Sequence, residues 1–305
     1  MTLSTTRPSL DLMALENEAI FILREAVAQA QRPVLLFSGG KDSTVLAHLA
    51  ARAFHPAPPP MPLLHVDSTW EFRELLTFRD AFAREHGFAL HVVANEQGRA
   101  AGMNPFDHGD TYTTMMRTDV LKQALDAGCH DMVFGGARRD EEKSRAKERV
   151  FSLRDHGQVW NPRQQRPELW QLYNTHLGKG QSLRVFPLSN WTEMDIWRYA
   201  EQRRITLAPL YFAAPRPVLE RDGMLLVVDD PARMPFQPGD VVRTRRVRFR
   251  TLGCWPVTAA IASDAADLSA IALETAAAKG SERHGRLGDR AAGGSLERQK
   301  REGYF

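Results

Sequence analysis

Cysteine is nearly absent: Cys129 and Cys254 are the two in 305 residues. They stand far apart and in no C-x-x-C spacing, which excludes a zinc ribbon, a cysteine-ligated iron–sulfur cluster and a redox dithiol. Two lone thiols fit a reducing compartment. A chain of this length with 43% apolar residues can build its core without disulfides. Long apolar runs are missing too. None approaches the ~20 residues of a membrane helix, and Glu16, Glu18 and Glu25 interrupt the N-terminal stretch, unlike a signal peptide. A cytoplasmic location is expected. Charge of one sign is also scarce. The net charge is +3, and it is accounted for by seven Lys/Arg against four Asp/Glu from Lys279 onward. That surplus does not argue for nucleic acid. No group of histidines and carboxylates has metal-ligand spacing, so any Mg²⁺ is expected to ride on nucleotide phosphates.

What is present is an alternation of short apolar strands and amphipathic helices. Leu12 to Gln31 carries Leu12, Leu15, Ala19, Ile22, Leu23 and Ala26 near one helical face, and Pro33 ends it. Strands are expected at Pro33–Phe37, Leu63–Asp67, Phe88–Val93, Asp131–Phe134 and Leu183–Phe186. Helices are expected from about Ser43 to Phe54, Glu71 to His86, Thr113 to Ala127, and from Thr192, a fair N-cap, through Tyr199. This order predicts an α/β fold, a doubly wound parallel sheet with helices on both faces. Past about Pro215 the pattern changes. Met224–Asp229 and Val241–Thr251 read as strands of a smaller β-rich unit, and Leu268–Ala278 as a helix. The division expected is 1–215 for an ATP-binding catalytic domain and 216–305 for an extension with a basic tail that contacts a partner.

The strongest local signal is Ser38-Gly39-Gly40-Lys41-Asp42-Ser43 between the first strand and its helix. A helix N-terminus offers free N–H groups and partial positive charge to an anion. Gly39 and Gly40 let the backbone approach closely. Ser38 and Ser43 add hydroxyls, and Lys41 a mobile point charge. The spacing is neither G-x-x-x-x-G-K-[ST] nor G-x-G-x-x-G. A second cluster, Gly135-Gly136-Ala137-Arg138-Arg139, follows another strand, where ligands of open α/β sheets collect. Arg138 and Arg139 are candidates to hold phosphate or sulfate, while Lys143 to Arg149 reads as a solvated, salt-bridged helix. His65 and Asp67, ending the second strand, are candidates for adenosine recognition, and a buried, hydrogen-bonded histidine is an equal reading of His65. Arg243, Arg245, Arg246, Arg248 and Arg250 place an arginine stripe on one strand. It is read either as a face for an acidic partner, RNA or substrate anions, or as a solvated edge strand.

The loop matches the S-G-G-K-D-S signature of PP-loop ATP pyrophosphatases, which implies cleavage between the α- and β-phosphates. Further stretches carry a closer resemblance: Phe134 to Arg149, Asn161 to Trp170, Arg184 to Glu193, Phe249 to Pro256 and Lys300 to Phe305. From about Leu12 to Phe305 the chain resembles the small subunit of bacterial sulfate adenylyltransferase. The resemblance implies ATP and sulfate giving adenosine 5′-phosphosulfate and pyrophosphate. It also implies a heterodimer with a GTPase large subunit whose GTP hydrolysis drives the reaction. Catalytic roles would fall on Lys41, Arg138 and Arg139. Nucleotide binding would fall on Ser38, Gly39, Gly40, Lys41, Asp42, Ser43, His65, Asp67, Gly135 and Gly136. Position 39 is glycine where many small subunits carry isoleucine.

Two other PP-loop activities were weighed. A phosphoadenylyl-sulfate or adenylyl-sulfate reductase needs a nucleophilic cysteine in its tail, and none follows Cys254. RNA thiolation would want a catalytic cysteine or cluster ligands and a larger basic field. A non-catalytic scaffold is at odds with an intact loop.

Overall fold

The computed structural model describes residues 10–141, 143–255 and 257–278. The first helix, α1 (Leu10–Gln29), leads through Pro33 into strand β1 (Pro33–Leu36), then α2 (Lys41–Phe54), β2 (Leu63–Asp67), α3 (Arg73–Glu85) and β3 (Leu90–Ala94). Helices α4 (Glu96–Ala100), α5 (Pro105–Thr113) and α6 (Asp119–Ala127) precede β4 (Met132–Phe134). Alternate strand residues serve opposite faces. Leu35, Leu63, Phe134, Leu183 and Val185 join the large core under α1 and α2. Val34, Leu64 and Val133 pack with Leu121 and Leu125 of α6 on the other side. Both faces are covered, which is why these strands read as continuous apolar runs.

The helix expected from Thr113 to Ala127 is present and continuous with α5, but it is not α-helical throughout. A π-helical turn over Thr114–Thr118 joins α5 to α6, a geometry found mostly at functional sites.

Past α7 (Lys143–Ala146) the sheet continues with β5 (Phe151–Asp155), β6 (Val159–Trp160) and β7 (Ser182–Val185). The strand order is β3-β2-β1-β4-β7-β5-β6. Strands β3, β2, β1, β4 and β7 are parallel, while β5 runs antiparallel to β7 and to β6. The expected α/β parallel sheet therefore carries an antiparallel edge that the sequence reading did not anticipate. The reason is that β5 buries polar side chains. Ser152 and Arg154 on β5 and Arg184 on β7 are at most 1% exposed.

This also corrects the reading of the charged run before β5. Arg145 and Glu148 are buried, not solvated. Glu148 hydrogen-bonds the Arg154 guanidinium and lies 3.8 Å from that of Arg145. Burial, and then the charge of Arg154, push Arg184 down to about 9 despite Glu148 and Asp126.

Helix α8 (Glu193–Arg203) begins with a reciprocal capping box between Thr192 and Asp195. A second, antiparallel sheet follows, with β8 (Ala214–Arg221), β9 (Met224–Val227), β10 (Val242–Arg248) and β11 (Ile261–Ala262) in the order β11-β10-β8-β9. Pro215 and Pro217 hid β8 from the sequence reading. They are tolerated because Pro215 lies beyond the ladder to β9, which begins at Val218, and Pro217 contributes only its carbonyl, which accepts the Val228 N–H at 2.9 Å. The arginine stripe is in part a solvated edge: β11 pairs only with Val247 and Arg248, so residues 242–246 of β10 have β8 alone beside them, and Arg243 and Arg246 are exposed. Three of its arginines meet acids: Arg245 with Glu220, Arg246 with Asp264, and Arg248, which is buried, with Glu274 of α9 (Leu268–Ala277). Arg250, just past the strand, pairs with Glu193. The two sheets share one apolar core through Phe249, Cys254 and Trp255. The basic tail lies outside the described residues.

Replacing Glu148 by glutamine should strand the Arg154 guanidinium. A loss of about 3–5 kcal/mol is expected for a broken buried pair, read as a lower urea midpoint at unchanged m-value.

Candidate functional site

Between β1 and β4 the sheet order reverses, with β2 on one side and β7 on the other. Crevices at such points, beyond the carboxyl ends of the strands, take ligands in open α/β sheets. Two loops meet there. The first is Ser38–Ser43. Gly39 has φ +72, and a Cβ there would come within 2.6 Å of Leu75 Cδ1. The left-handed turn and this contact both favour glycine. Gly40 is the N-cap of α2 and has no side-chain cap. The Gly40 N–H donates to Ser38 Oγ at 3.3 Å, Ser38 and Ser43 Oγ are 3.2 Å apart, and the Ser43 and Thr44 hydroxyls donate to the Gly40 carbonyl. The loop thus gathers two hydroxyls and a helix N-terminus into one small arc.

The second loop, Gly135–Arg139, is docked against the first. Gly135 N–H closes the strand ladder on Val185 O. A Cβ on Gly136 would stand 3.0 Å from the backbone of Asp42 and Ser43, so this glycine permits the close approach. Arg138 is 1% exposed and donates through Nε to Asp42 Oδ1 at 2.7 Å, while Lys41 Nζ holds Asp42 Oδ2 at 3.1 Å. Burial raises the Asp42 carboxyl, but Lys41 and then Arg138 outweigh it, so it titrates below its ordinary value.

These contacts revise two expectations. Lys41 is not a mobile surface charge. It is buried, and its ammonium lies 5.8 Å from the ring centre of Trp197, within cation–π reach. Arg138 is tied to Asp42 and lies 3.5 Å from Asp140, so it braces the loop. Arg139 turns elsewhere, donating to Asn190 Oδ1, and Asn190 in turn donates to Glu18. A residue the sequence reading missed is Tyr211, whose hydroxyl accepts the Lys41 backbone N–H at 2.7 Å. It is 170 positions away in the chain, beyond the reach of any local signal.

On the other side of the loop, a cavity of 110 Å³ is lined by Phe37, Ser38, His65, Val66, Glu71, Arg117, Leu252 and Gly253 among others. His65 is buried, with Nδ1 2.8 Å from the Phe37 carbonyl. A carbonyl only accepts, so Nδ1 carries the hydrogen and Nε2 is left with its lone pair, unpartnered among the described residues. Burial, and next the charge of Arg79, lower His65 to about 4, so it is neutral near pH 7. Asp67, half-buried, accepts the Thr69 N–H at 2.7 Å and lies 3.6 Å from Arg99. It therefore shapes the turn after β2 and lines a neighbouring cavity of 640 Å³. The π-helical turn brings Arg117 to the small cavity, and Cys254 Sγ stands 3.2 Å from Ser68 Oγ and 3.4 Å from Tyr112 Oη beside it.

Comparison with known proteins agrees with this architecture. Residues 32–260 match the phosphoadenosine phosphosulfate reductase domain family. The chain is 59% identical to sulfate adenylyltransferase subunit 2 of Brucella abortus (strain 2308) over 295 residues, 96% of this chain and 98% of that one. It is 58% identical to the protein of the same name from Brucella anthropi, covering 99% of both. Among solved structures, phosphoadenylyl-sulfate reductase from Candida auris superposes with a TM-score of 0.47 at 15% identity. That match covers 69% of this chain and 92% of the other.

The lowered His65 makes a pH prediction. A histidine held neutral in the fold adds stability above its unfolded value, near pH 6.5, and loses it as pH falls toward 4. Over that window the wild-type urea midpoint should fall, and His65→Gln should fall less steeply. Equal slopes would assign the loss to other groups, such as His48, which is lowered to about 4 as well.

Proposed function

Since the chain belongs to the phosphoadenosine phosphosulfate reductase domain family and, by near full-length identity, to the sulfate adenylyltransferase subunit 2 family, we propose that it joins sulfate to the AMP moiety of ATP. The reaction is ATP plus sulfate giving adenosine 5′-phosphosulfate and pyrophosphate. A sulfate oxygen attacks the α-phosphorus, the α–β bridging bond breaks, and its electron pair leaves with pyrophosphate. Sulfate is fully ionised, so no base is required. Catalysis is positioning and charge stabilisation.

The observation that supports this reading best is the meeting of the two loops at the sheet's reversal point, clasped through Asp42. Ser38, Ser43 and the first N–H groups of α2 would hold the leaving phosphates. Lys41 would neutralise the charge they gain, within a low-dielectric setting where that charge counts most. Gly39, Gly40, Gly135 and Gly136 let the backbone come close. Arg138 holds Asp42, and with it the loop, in place. Arg139 is the cation assigned to the acceptor side. His65 Nε2, a lone-pair acceptor beside the cavity, suits the adenine amino group, and Asp67 keeps the adjoining turn.

Magnesium is proposed to enter on the triphosphate. Among the described residues no group of three or more His, Cys, Asp or Glu side chains could hold a metal ion, and Asp42 is already committed to two cations. It would supply charge neutralisation on the phosphates. The relatives' name, subunit 2, supports a partner subunit. The partner proposed is a GTPase large subunit whose GTP hydrolysis drives the unfavourable adenylation. Residues 1–215 are assigned the chemistry, and 216–305 an extension that contacts the partner. No helix among the described residues is long and apolar enough to cross a membrane.

The test is pyrophosphate release by the chain with its GTPase companion, ATP and GTP. Release should depend on sulfate, and Lys41→Ala should lower it by about 10²-fold or more. Release indifferent to sulfate would falsify the reaction, and an unaffected Lys41→Ala would remove the loop from it.

A further inference from the structure

Between β6 and β7 the chain makes a long excursion, Asn161 to Gln181, whose only regular structure is two short 3₁₀ turns. Loops of this length inside an α/β domain are usually functional. Its crest is apolar and open. Leu169, Trp170 and Leu172 are 61%, 85% and 69% exposed. Trp170 and its neighbour Gln171 both hold left-handed backbone, with φ +54 and +57. That conformation is unfavourable for residues with a Cβ, and here it keeps an indole turned to solvent.

The crest is nonetheless firmly held. Glu168 accepts the N–H groups of Val150 and Phe151 at 3.0 and 2.7 Å. Gln165 bonds Leu153 through both its N–H and its carbonyl. Arg166 donates to the Asn174 carbonyl at 2.8 Å, and Tyr173 stacks on Phe151 at 4.4 Å. The apolar crest is preorganised, with its ordering cost already met within the fold.

Charge narrows what can cover it. Arg163 and Lys179 are exposed, and Glu168, the sole acid between 161 and 181, is turned onto backbone N–H groups. A second copy of this chain, meeting the same patch about a two-fold axis, would bring like charges together. The chain from Lys279 onward is itself in cationic surplus, so it fits no better. A different protein with an acidic rim around an apolar pocket fits both features. Position adds to this. Tyr173 lies 6.5 Å from Phe21 on α1, one turn from Glu18, whose carboxylate holds the Asn190 that takes Arg139. The support of the crest therefore rests against α1.

We infer that the Leu169–Leu172 crest is an anchor by which this chain docks on its companion subunit, beside the contact assigned to 216–305, with Trp170 entering an apolar pocket rimmed by acids. The inference rests on the partner subunit of the proposed function and says which surface it grips. An exposed tryptophan on a rigid support is the side chain most often found to dominate binding.

The test uses the full chain and its purified companion subunit, with association followed by calorimetry and light scattering. Trp170→Ala should weaken association about tenfold or more. Val92→Ala, which trims an apolar side chain 45% exposed on β3, should leave it unchanged. The wild-type affinity should fall with added salt, and the Arg163→Glu/Lys179→Glu pair should weaken it at low salt. ATP binding by each isolated variant should match the wild type. A wild-type complex that Trp170→Ala leaves intact overturns the docking surface alone. A Trp170→Ala chain that loses ATP binding, or a wild-type chain that pairs with itself through Trp170, also overturns it. No complex with the wild-type chain overturns the surface and the partner together.

Discussion

One carboxylate organises the catalytic end of this molecule. Asp42 sits in the first turn of α2, where the helix dipole favours negative charge, and it takes a cation from each side: Lys41 from its own loop and Arg138 from the loop after β4. Gly136 can approach because it has no side chain, and the buried Arg138 meets Asp42 at 2.7 Å. Removing either partner of such a pair leaves a buried charge uncompensated, at a cost of about 3–5 kcal/mol. Two loops that belong to strands nearly a hundred residues apart are thereby held in fixed register. The tie extends outward. Asp140, beside Arg138, accepts the Glu193 N–H; Glu193 accepts the Trp197 indole N–H and the Arg250 guanidinium. A continuous run of polar contacts thus joins the loop to the start of α8 and the second sheet.

Much of this frame was legible in the residues. Strands β1, β2, β4 and β7 announce themselves as apolar runs, and Gly39-Gly40 and Gly135-Gly136 mark the turns where a ligand can come close. The Thr192 cap was equally plain. The misreadings share a physical cause. The charged run from Lys143 to Arg149 looks solvated until Arg145 and Glu148 are found inside with Arg154. Pro215 and Pro217 speak against a strand until it is known that no N–H is needed from either. The arginines of β10 look like a bare cationic face because their acids, Glu220, Asp264 and Glu274, come from other elements. Pattern along the chain reports burial by apolar side chains well, and burial by paired charge hardly at all.

The same limit applied to the site. The loop was visible because its chemistry is contiguous. The placement of Arg117, brought in by a π-helical turn, and of Glu71, on the wall between two cavities, depends on where distant segments meet. His65 was read two ways, as a recognition group and as a buried histidine. The geometry lets both hold: its Nδ1 is spent on Phe37, and its Nε2 remains beside the cavity.

Tyr211 adds a constraint of a different kind. Its hydroxyl receives the Lys41 backbone N–H from 170 residues downstream, and Trp197 supplies the ring near the Lys41 ammonium. During synthesis the chain emerges from its N-terminus, so β1, its loop and α2 are made long before the groups that complete them. The Ser38–Ser43 loop cannot reach its final form until α8 and Tyr211 have followed, so a chain released early would carry the signature motif without its finished geometry.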